Sequence, residues 1–131
     1  MTTNLTEILM SGAYATTKHC DLSNKGFTGT IPEEIVSLAN LVHLDLSNNK
    51  LTGTIPVQLW QLTNLDYLNL NNNSLTGTIP FGLVDERNVV VKSLQDMGRL
   101  EFLGFSNNDL TGTIPTALSG LYNVRHLELC K

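Results

Sequence analysis

The chain has 131 residues, of which 41% are hydrophobic and 15% are charged, and its formal net charge is −4 at pH 7. This length and composition support one domain with a continuous core. The eight Lys and Arg residues are spread along the chain, which argues against nucleic acid as a partner, because such interfaces cluster basic residues against phosphates. No apolar run approaches the roughly 18 to 20 residues that cross a bilayer, so we expect no membrane insertion.

Residues 1–13 are predicted to form an N-terminal helical cap. Asn4 and Glu7 have the spacing of a capping box, in which two side chains satisfy backbone groups of the first turn. The apolar residues of the segment share one helical face: Leu5, Ile8 and Leu9. The segment lacks the basic start and the long apolar run of a secretory signal peptide, so the sequence leaves the compartment unknown.

Residues 14–131 contain a repeated motif. The hexapeptide at Leu51–Pro56 recurs, once with phenylalanine in first position, at three other places: Phe27–Pro32, Leu75–Pro80 and Leu110–Pro115. The spacing is 24 residues twice and then 35 residues, so the last interval contains 11 extra residues. The repeats are therefore 14–37, 38–61, 62–85, 97–120 and a partial repeat 121–131, with an insertion at 86–96.

Each repeat predicts one short strand, because its apolar residues alternate with polar ones, as at Leu44 and Leu46. The five predicted strands are His19–Leu22, His43–Leu46, Tyr67–Leu70, Phe102–Phe105 and His126–Leu129. A single repeat cannot bury its apolar face alone, so the repeats must stack and align their strands in parallel. Asn49, Asn73 and Asn108 follow three of the strands and are interpreted as a structural ladder that satisfies backbone groups of the turn.

This spacing, followed by the pattern x-L-T-G-x-I-P-x-x-L, resembles the plant-type leucine-rich repeat (LRR) of plant receptor kinase ectodomains and polygalacturonase-inhibiting proteins. The resemblance covers residues 14–131 and implies an α/β LRR solenoid. In such a right-handed superhelix a parallel β-sheet forms the concave face, and short strands or turns lie on the opposite face. The resemblance also implies a binding module and an extracellular location.

The paired-cysteine caps of that family have no counterpart here. Cys20 lies at a core strand position and Cys130 lies near the other end of the stack, too far apart for a disulfide to join them. An uncapped solenoid end leaves an apolar face and a strand edge open. We therefore expect the C-terminal end to be continued by further repeats or covered by a partner.

Outward-facing strand residues form four columns on the concave face. The ring column contains His19, His43, Tyr67, Phe102 and His126. The acidic column contains Asp21, Asp45, Asn69, Gly104 and Glu128. The turn column contains Ser23, Ser47, Asn71, Ser106 and Cys130, and the flanking column contains Lys18, Val42, Asp66, Glu101 and Arg125.

The ring column and the polar residues of the acidic column predict a binding site for a protein or peptide, because rigid rings supply contact area and polar neighbours set orientation. The alternative is that these are solvated sheet positions. A metal site at His19, His43, Asp21 and Asp45 is not favoured, because parallel side chains do not converge on one ion. The turn-column serines lack a nucleophile elbow, so we expect no enzymatic activity and no metal or other cofactor.

A second candidate surface consists of threonines. The alternation in Leu51–Ile55 predicts a second, shorter strand with both of its threonines pointing outward. The resulting threonine face contains Thr28, Thr30, Thr52, Thr54, Thr76, Thr78, Thr111 and Thr113. Such regular ladders resemble the flat faces of ice-binding proteins, which makes ice binding the alternative function. The other interpretation is that the motif is simply the family sequence, with β-branched threonine favoured in exposed strands.

The insertion, residues 86–96, contains three consecutive valines at positions 89–91. Insertions in solenoids form loops on one face. The valines are more apolar than a free loop requires, so they either pack on the convex side or contact a partner.

Overall fold

The computed structural model describes residues 4–130 and consists of short elements joined by tight turns. One α-helix, α1, spans Leu5–Leu9. The strands in chain order are β1 (His19–Asp21), β2 (His43–Asp45), β3 (Tyr67–Asn69), β4 (Thr76–Gly77), β5 (Gly82–Val84), β6 (Val90–Ser93), β7 (Phe102–Gly104), β8 (Asp109–Leu110) and β9 (His126–Glu128). The 3₁₀ helices are η1 (Glu33–Ser37), η2 (Val57–Gln61), η3 (Leu94–Asp96) and η4 (Thr116–Gly120).

The main sheet is parallel, with strand order β1-β2-β3-β7-β9. Its register pairs equivalent positions of successive repeats, so that Cys20 lies opposite Leu44 and Leu68 lies opposite Leu103. These side chains point into the core and are at most 1% exposed. The predicted solenoid with a parallel concave sheet is therefore confirmed, and each strand ends one residue before its predicted end.

The face opposite the sheet is a row of 3₁₀ helices. In three repeats the last residue of the hexapeptide motif, a proline, is the N-cap of the helix: Pro32, Pro56 and Pro115. Proline has a fixed φ and no N–H donor, so it ends the extended segment and begins the turn. One leucine or isoleucine of each short helix then faces the strands, as Ile35 and Leu59 do, and both are fully buried.

The asparagine ladder is present as predicted. The Asn49 side chain accepts hydrogen bonds from the backbone N–H groups of Lys25 and Phe27 at 3.1 and 3.0 Å. Its Nδ2 donates to the carbonyl oxygens of Leu22 and Leu46 at 2.9 and 3.0 Å. Each asparagine therefore joins its own turn to the preceding repeat, which satisfies backbone groups that no regular strand pairing reaches.

The N-terminal helix covers the first repeat. Asn4 caps it, because its side-chain oxygen accepts from the Thr6 N–H at 2.8 Å. The Leu5 N–H donates to the Thr28 carbonyl at 3.0 Å, which attaches the helix to the first hexapeptide motif. Leu5 and Leu9 are buried in the core. A helix lies where the cap was predicted, and residues 1–3 of that prediction fall outside the described part of the chain.

The insertion forms an antiparallel hairpin of β5 and β6. Leu94 and Met97 are fully buried and have the spacing of Leu59 and Leu62 in the preceding repeat. We therefore assign η3 to the repeat itself and the eleven extra residues to the segment between Pro80 and Leu94. On this assignment the insertion begins before residue 86 and ends before residue 96, so it overlaps the predicted range 86–96 and is shifted toward the N-terminus.

The hairpin lies against η2, on the convex side of the solenoid. Trp60 of η2 is fully buried, and its indole N–H donates to the Pro80 carbonyl at 2.9 Å. The three valines at positions 89–91 are 41% to 51% exposed. About half of each valine side chain is therefore exposed on the convex side, and contact of these valines with a partner stays a prediction.

The last strand differs from the others in burial. Leu127 of β9 is 45% exposed, because no further strand of residues 4–130 covers it. Cys20 is buried and Cys130 is exposed, and both are free thiols. Burial, with a smaller effect of the Asp21 carboxylate, raises the pKa of Cys20 to about 11. Among the described residues no helix has the length and apolar character to cross a bilayer.

Candidate functional site

The five rings of the ring column form a row along the concave face, and the three central rings are stacked. The centroids of His43 and Tyr67 are 4.1 Å apart with nearly parallel planes, and those of Tyr67 and Phe102 are 4.4 Å apart. The outer rings are more loosely placed, with His19 5.8 Å from His43 and His126 6.2 Å from Phe102. The stack follows from the in-register parallel sheet, which places equivalent side chains one strand spacing apart.

Tyr67 lies at the centre of the stack and is anchored by polar neighbours. Its hydroxyl accepts from the Asn69 amide at 3.1 Å and lies 3.4 Å from an Asp45 carboxylate oxygen. Burial, and then the Asp45 and Glu128 carboxylates, hold the pKa of Tyr67 above its usual value. These contacts therefore hold the Tyr67 ring in position.

The acidic column has a structural role that the sequence analysis missed. Asp21 accepts from the Ser23 N–H at 3.0 Å and from its hydroxyl at 2.7 Å, and Asp45 makes the same contacts with Ser47. The hydrogen bonds from Ser23 lower the pKa of Asp21. The signal was present in the sequence, because Asp-x-Ser after a strand is typical of an Asx turn.

The fourth repeat departs from this arrangement. Gly104 has no side chain, and the Asn71 side chain of the preceding repeat takes the place of the missing carboxylate by accepting from the Ser106 N–H at 2.6 Å. Asn71 also donates to the Glu128 carboxylate. A Cβ atom on Gly104 would lie 2.7 Å from the Asn71 side-chain oxygen. Asn71 is 93% buried, so its side chain is not available to a ligand.

A shallow depression of about 380 Å³ lies where the flanking column meets the ring column. The rings of Tyr67 and Phe102 form its floor, with other lining residues His43, Asp66, Glu101, Arg125 and His126. The flanking residues are aligned by backbone hydrogen bonds, such as that from the Glu101 N–H to the Asp66 carbonyl at 2.7 Å. The depression therefore brings together aromatic rings and charged side chains of both signs.

The remaining predicted positions lie at the two ends of the face. His19 and Asp21 on β1, and His126 and Glu128 on β9, are exposed. Within the part of the chain that the structure describes, no group of three or more His, Cys, Asp or Glu side chains is placed to hold a metal ion. The side chains of the ring column lie together on one surface. Those of the acidic column are divided, because some face that surface and others make hydrogen bonds in the turns.

Seven of the eight residues of the threonine face are exposed, and Thr28 is half-buried. The predicted second strand is shorter than expected: β4 and β8 have two residues each, and other repeats are joined by single bridges. The glycine of each hexapeptide causes this, since Gly77 has a φ of 78°, a left-handed conformation that interrupts a regular strand.

The two threonine columns are fixed in different ways. Hydroxyls of the first column lie 3.4 Å from glycine carbonyls of the preceding repeat, as Thr52 does from Gly29. Methyl groups of the second column lie over glycines of the following repeat, and a Cβ atom on Gly77 would be 3.0 Å from the Thr54 methyl. The ladder continues across the hairpin, because the Thr111 N–H donates to the Gly77 carbonyl at 2.7 Å.

Comparison with known proteins agrees with this architecture. A family model described as leucine rich repeat matches residues 18–75, and a second with the same description matches residues 99–121. The chain is a plant-type leucine-rich repeat protein. No curated protein sequence gives a significant match to it.

Three solved structures illustrate what this LRR chain is similar to. A TDR receptor is 36% identical, with a TM-score of 0.76 over 86% of this chain. The ectodomain of the Arabidopsis receptor kinase HAESA, in complex with an N-terminally extended IDA peptide hormone, is 33% identical, with a TM-score of 0.68 over 80%. A plant ice-binding protein is 31% identical, with a TM-score of 0.68 over 79%. The chain spans 18%, 16% and 30% of their lengths, respectively.

Proposed function

We propose that this LRR chain is a non-catalytic binding scaffold that recognises a protein or peptide through its concave sheet. The observation that carries the proposal is the ring stack, whose central members His43, Tyr67 and Phe102 are 4.1 to 4.4 Å apart. Stacked rings cannot rotate freely, so a ligand that contacts their edges loses little additional side-chain entropy. The peptide-bound HAESA ectodomain supports the ligand class by analogy.

The depression beside Tyr67 and Phe102 is the proposed centre of the site. A ligand side chain placed there would lie on two aromatic surfaces, and the surrounding polar groups would set its orientation. The outer columns would supply weaker contacts at the rim. The varied composition of the columns suits recognition of one partner, because specificity requires differences between positions.

Replacement of both Tyr67 and Phe102 by Ala tests the proposal. The probe is a displayed library of random peptides of about eight residues, which in extended form covers the five strands. We expect peptides selected by the unmodified protein to bind the double variant at least about tenfold more weakly. The matched control is the pair Phe81→Ala and Tyr122→Ala, which removes the same two ring types from exposed positions outside the sheet.

Both double variants should keep the cooperative unfolding of the unmodified protein, monitored by fluorescence of the buried Trp60. Binding that survives the Tyr67 and Phe102 changes, or that the control pair weakens equally, would contradict recognition through the concave face.

As a second candidate we propose ice binding by the threonine face. The observation that favours it is the continuous alignment of Thr76 and Thr111 on adjacent repeats despite the eleven-residue insertion. Fixed threonine side chains give the flat, repeated array of hydroxyls and methyls that a lattice binder needs. The similarity to a plant ice-binding protein supports this candidate as well.

Thermal hysteresis and ice-recrystallisation inhibition, measured on the purified protein, test the second candidate. Replacement of Thr52 and Thr76 by Lys should abolish any activity, because bulky charged side chains would disrupt the flat array. The Tyr67→Ala and Phe102→Ala variant serves as the control and should retain it. Lack of activity in the unmodified protein at about millimolar concentration would remove the ice hypothesis.

A further inference from the structure

The concave face carries most of the net negative charge of the chain. Its columns contain five carboxylates against two cations, a net charge of −3, while the whole chain has a net charge of −4. The carboxylates are Asp21, Asp45, Asp66, Glu101 and Glu128, and the cations are Lys18 and Arg125. The long-range field of this face therefore favours a positively charged partner.

Two of these carboxylates have no partner within the described chain. Asp66 and Glu101 make no side-chain hydrogen bond, and the ion pair found among residues 4–130 joins Arg87 to Asp85 in the hairpin. The two residues lie on adjacent strands, connected by the backbone hydrogen bond from Glu101 to Asp66. Like charges at such a spacing repel each other and destabilise a sheet, and Arg125, which also lines the depression, makes no ion pair with either carboxylate within the described residues. A cation placed between Asp66 and Glu101 would relieve this repulsion.

The surroundings of this pair specify the shape of the cation. Both carboxylates line the depression whose floor is formed by Tyr67 and Phe102. A Lys or Arg side chain can lay its methylene groups on the rings and place its charged end between the two acids, as long basic side chains do on amphipathic surfaces. A bare metal ion would use the carboxylates but not the rings.

We propose, on the basis of the concave binding function, that the occupant is a basic peptide segment in extended conformation, with a Lys or Arg side chain seated between Asp66 and Glu101. The segment runs across the strands along the ring column. Neutral peptides, acidic peptides and free divalent cations are the alternatives that the test must separate.

The test uses three synthetic peptides of about eight residues that share their Gly, Ser and Tyr residues and carry Arg, Gln or Glu at the remaining positions. Binding is measured by calorimetry at low and high salt. We expect the Arg peptide to bind at least about tenfold more tightly than the Gln peptide, and to lose much of this advantage at high salt, since salt screens exposed charges. Calcium chloride alone should show no binding.

The decisive variant is Asp66→Asn with Glu101→Gln, which removes two charges and preserves side-chain shape. We expect it to weaken binding of the Arg peptide about tenfold. The matched control is Glu33→Gln with Glu34→Gln, which changes the net charge equally at exposed positions on η1 and should alter binding by less than about twofold.

The outcomes separate this inference from the function on which it rests. If the Gln or Glu peptide binds best, or if the Asp66 and Glu101 changes have no effect while the Tyr67 and Phe102 changes do, the cationic class is wrong and concave recognition stands. If Arg-peptide binding is insensitive to the Tyr67 and Phe102 changes, both proposals are overturned. If the three peptides all fail to bind, the cationic class is overturned, and concave recognition is decided by the library-selected peptides. An equal loss of affinity in the Glu33 and Glu34 control would show that net charge alone attracts the peptide, and would also overturn the inference.

Discussion

The concave face and the threonine face belong to the same stacked repeats, each of which forms one rung of the solenoid. Outward residues of the concave face vary from rung to rung, whereas those of the threonine face repeat. The backbone accounts for much of this difference. On the sheet, outward side chains such as His43 and Tyr67 stand on extended backbone, and their rings stack on neighbours in the same column. Many residue types fit there, so packing does not determine which residues occupy these positions.

The threonine face has less freedom. A left-handed glycine follows each first-column threonine, and the methyl group of a second-column threonine covers the glycine of the next rung. The threonines therefore have a packing reason to repeat whether or not they bind anything. Repetition of a residue is weak evidence for a ligand where packing between repeats requires that residue. Variation between equivalent positions on a rigid surface is stronger evidence for a ligand.

Replacement of Asn73 by Ala should have the largest effect, because it disturbs both faces at once. The Asn73 side chain accepts from the Leu51 N–H at 3.1 Å and donates to the carbonyls of Leu46, Leu70 and Asn71 at 3.0 to 3.3 Å. Alanine would leave these groups unsatisfied in the interior of the stack, and we expect a loss of about 3 kcal/mol in the free energy of unfolding. Urea denaturation followed by Trp60 fluorescence measures it.

The control for this variant is Asn72→Gly at the neighbouring position. Asn72 is exposed and has a φ of 58°, a conformation that glycine adopts freely. Its side chain makes one exposed hydrogen bond, accepted from the Asn107 amide at 2.6 Å, so its replacement should change stability by less than about 1 kcal/mol. Equal destabilisation by the two changes would contradict the assignment of the ladder as the joint between rungs.

Replacement of Gly77 by Ala should affect the threonine face more selectively. The φ of 78° at Gly77 disfavours any side chain, and the new Cβ atom would lie 3.0 Å from the Thr54 methyl. We expect a destabilisation of about 1 to 2 kcal/mol. Gly98→Ala is the matched control, since a Cβ atom there meets nothing within 4 Å. If the two variants have the same free energy of unfolding, Gly77 does not constrain the threonine face.

The sequence was sufficient to predict the features that depend on periodicity along the chain. The repeat spacing and the alternation around Leu44 and Leu68 predict the parallel sheet, the ring column and the asparagine ladder, because each follows from repeating one unit in register. The left-handed conformation of Asn24, Asn48, Asn72 and Asn107 was missed, although asparagine is enriched in that region of φ. The Ser-Asn or Asn-Asn pair after each of these four strands, at positions 23–24, 47–48, 71–72 and 106–107, was the available signal.

Features that depend on contacts between non-equivalent positions could not be predicted. Asn71 serves the turn of the next rung only because Gly104 leaves space for it, and no periodicity links those two residues. The hairpin is another case, since its position against Trp60 depends on the path of the chain outside the repeat. Such contacts are decided by the packing of neighbouring rungs and not by the pattern within one rung.

The smallest expected effect separates the two threonine columns. Thr54→Ser removes the methyl group over Gly77 and should cost about 0.5 kcal/mol, whereas Thr52→Val removes only a long hydrogen bond of 3.4 Å to Gly29 and should be close to neutral. Thr113→Ser is the control, because no glycine of a further rung lies over Thr113 within residues 4–130. These differences require chemical denaturation with replicate curves, since they approach the error of a single measurement. If Thr54→Ser is the only change that lowers the free energy of unfolding measurably, packing explains why threonine repeats in the second column. If all three changes are neutral, packing does not explain why threonine repeats, and the case for a ligand on the threonine face becomes stronger than the rungs alone suggest.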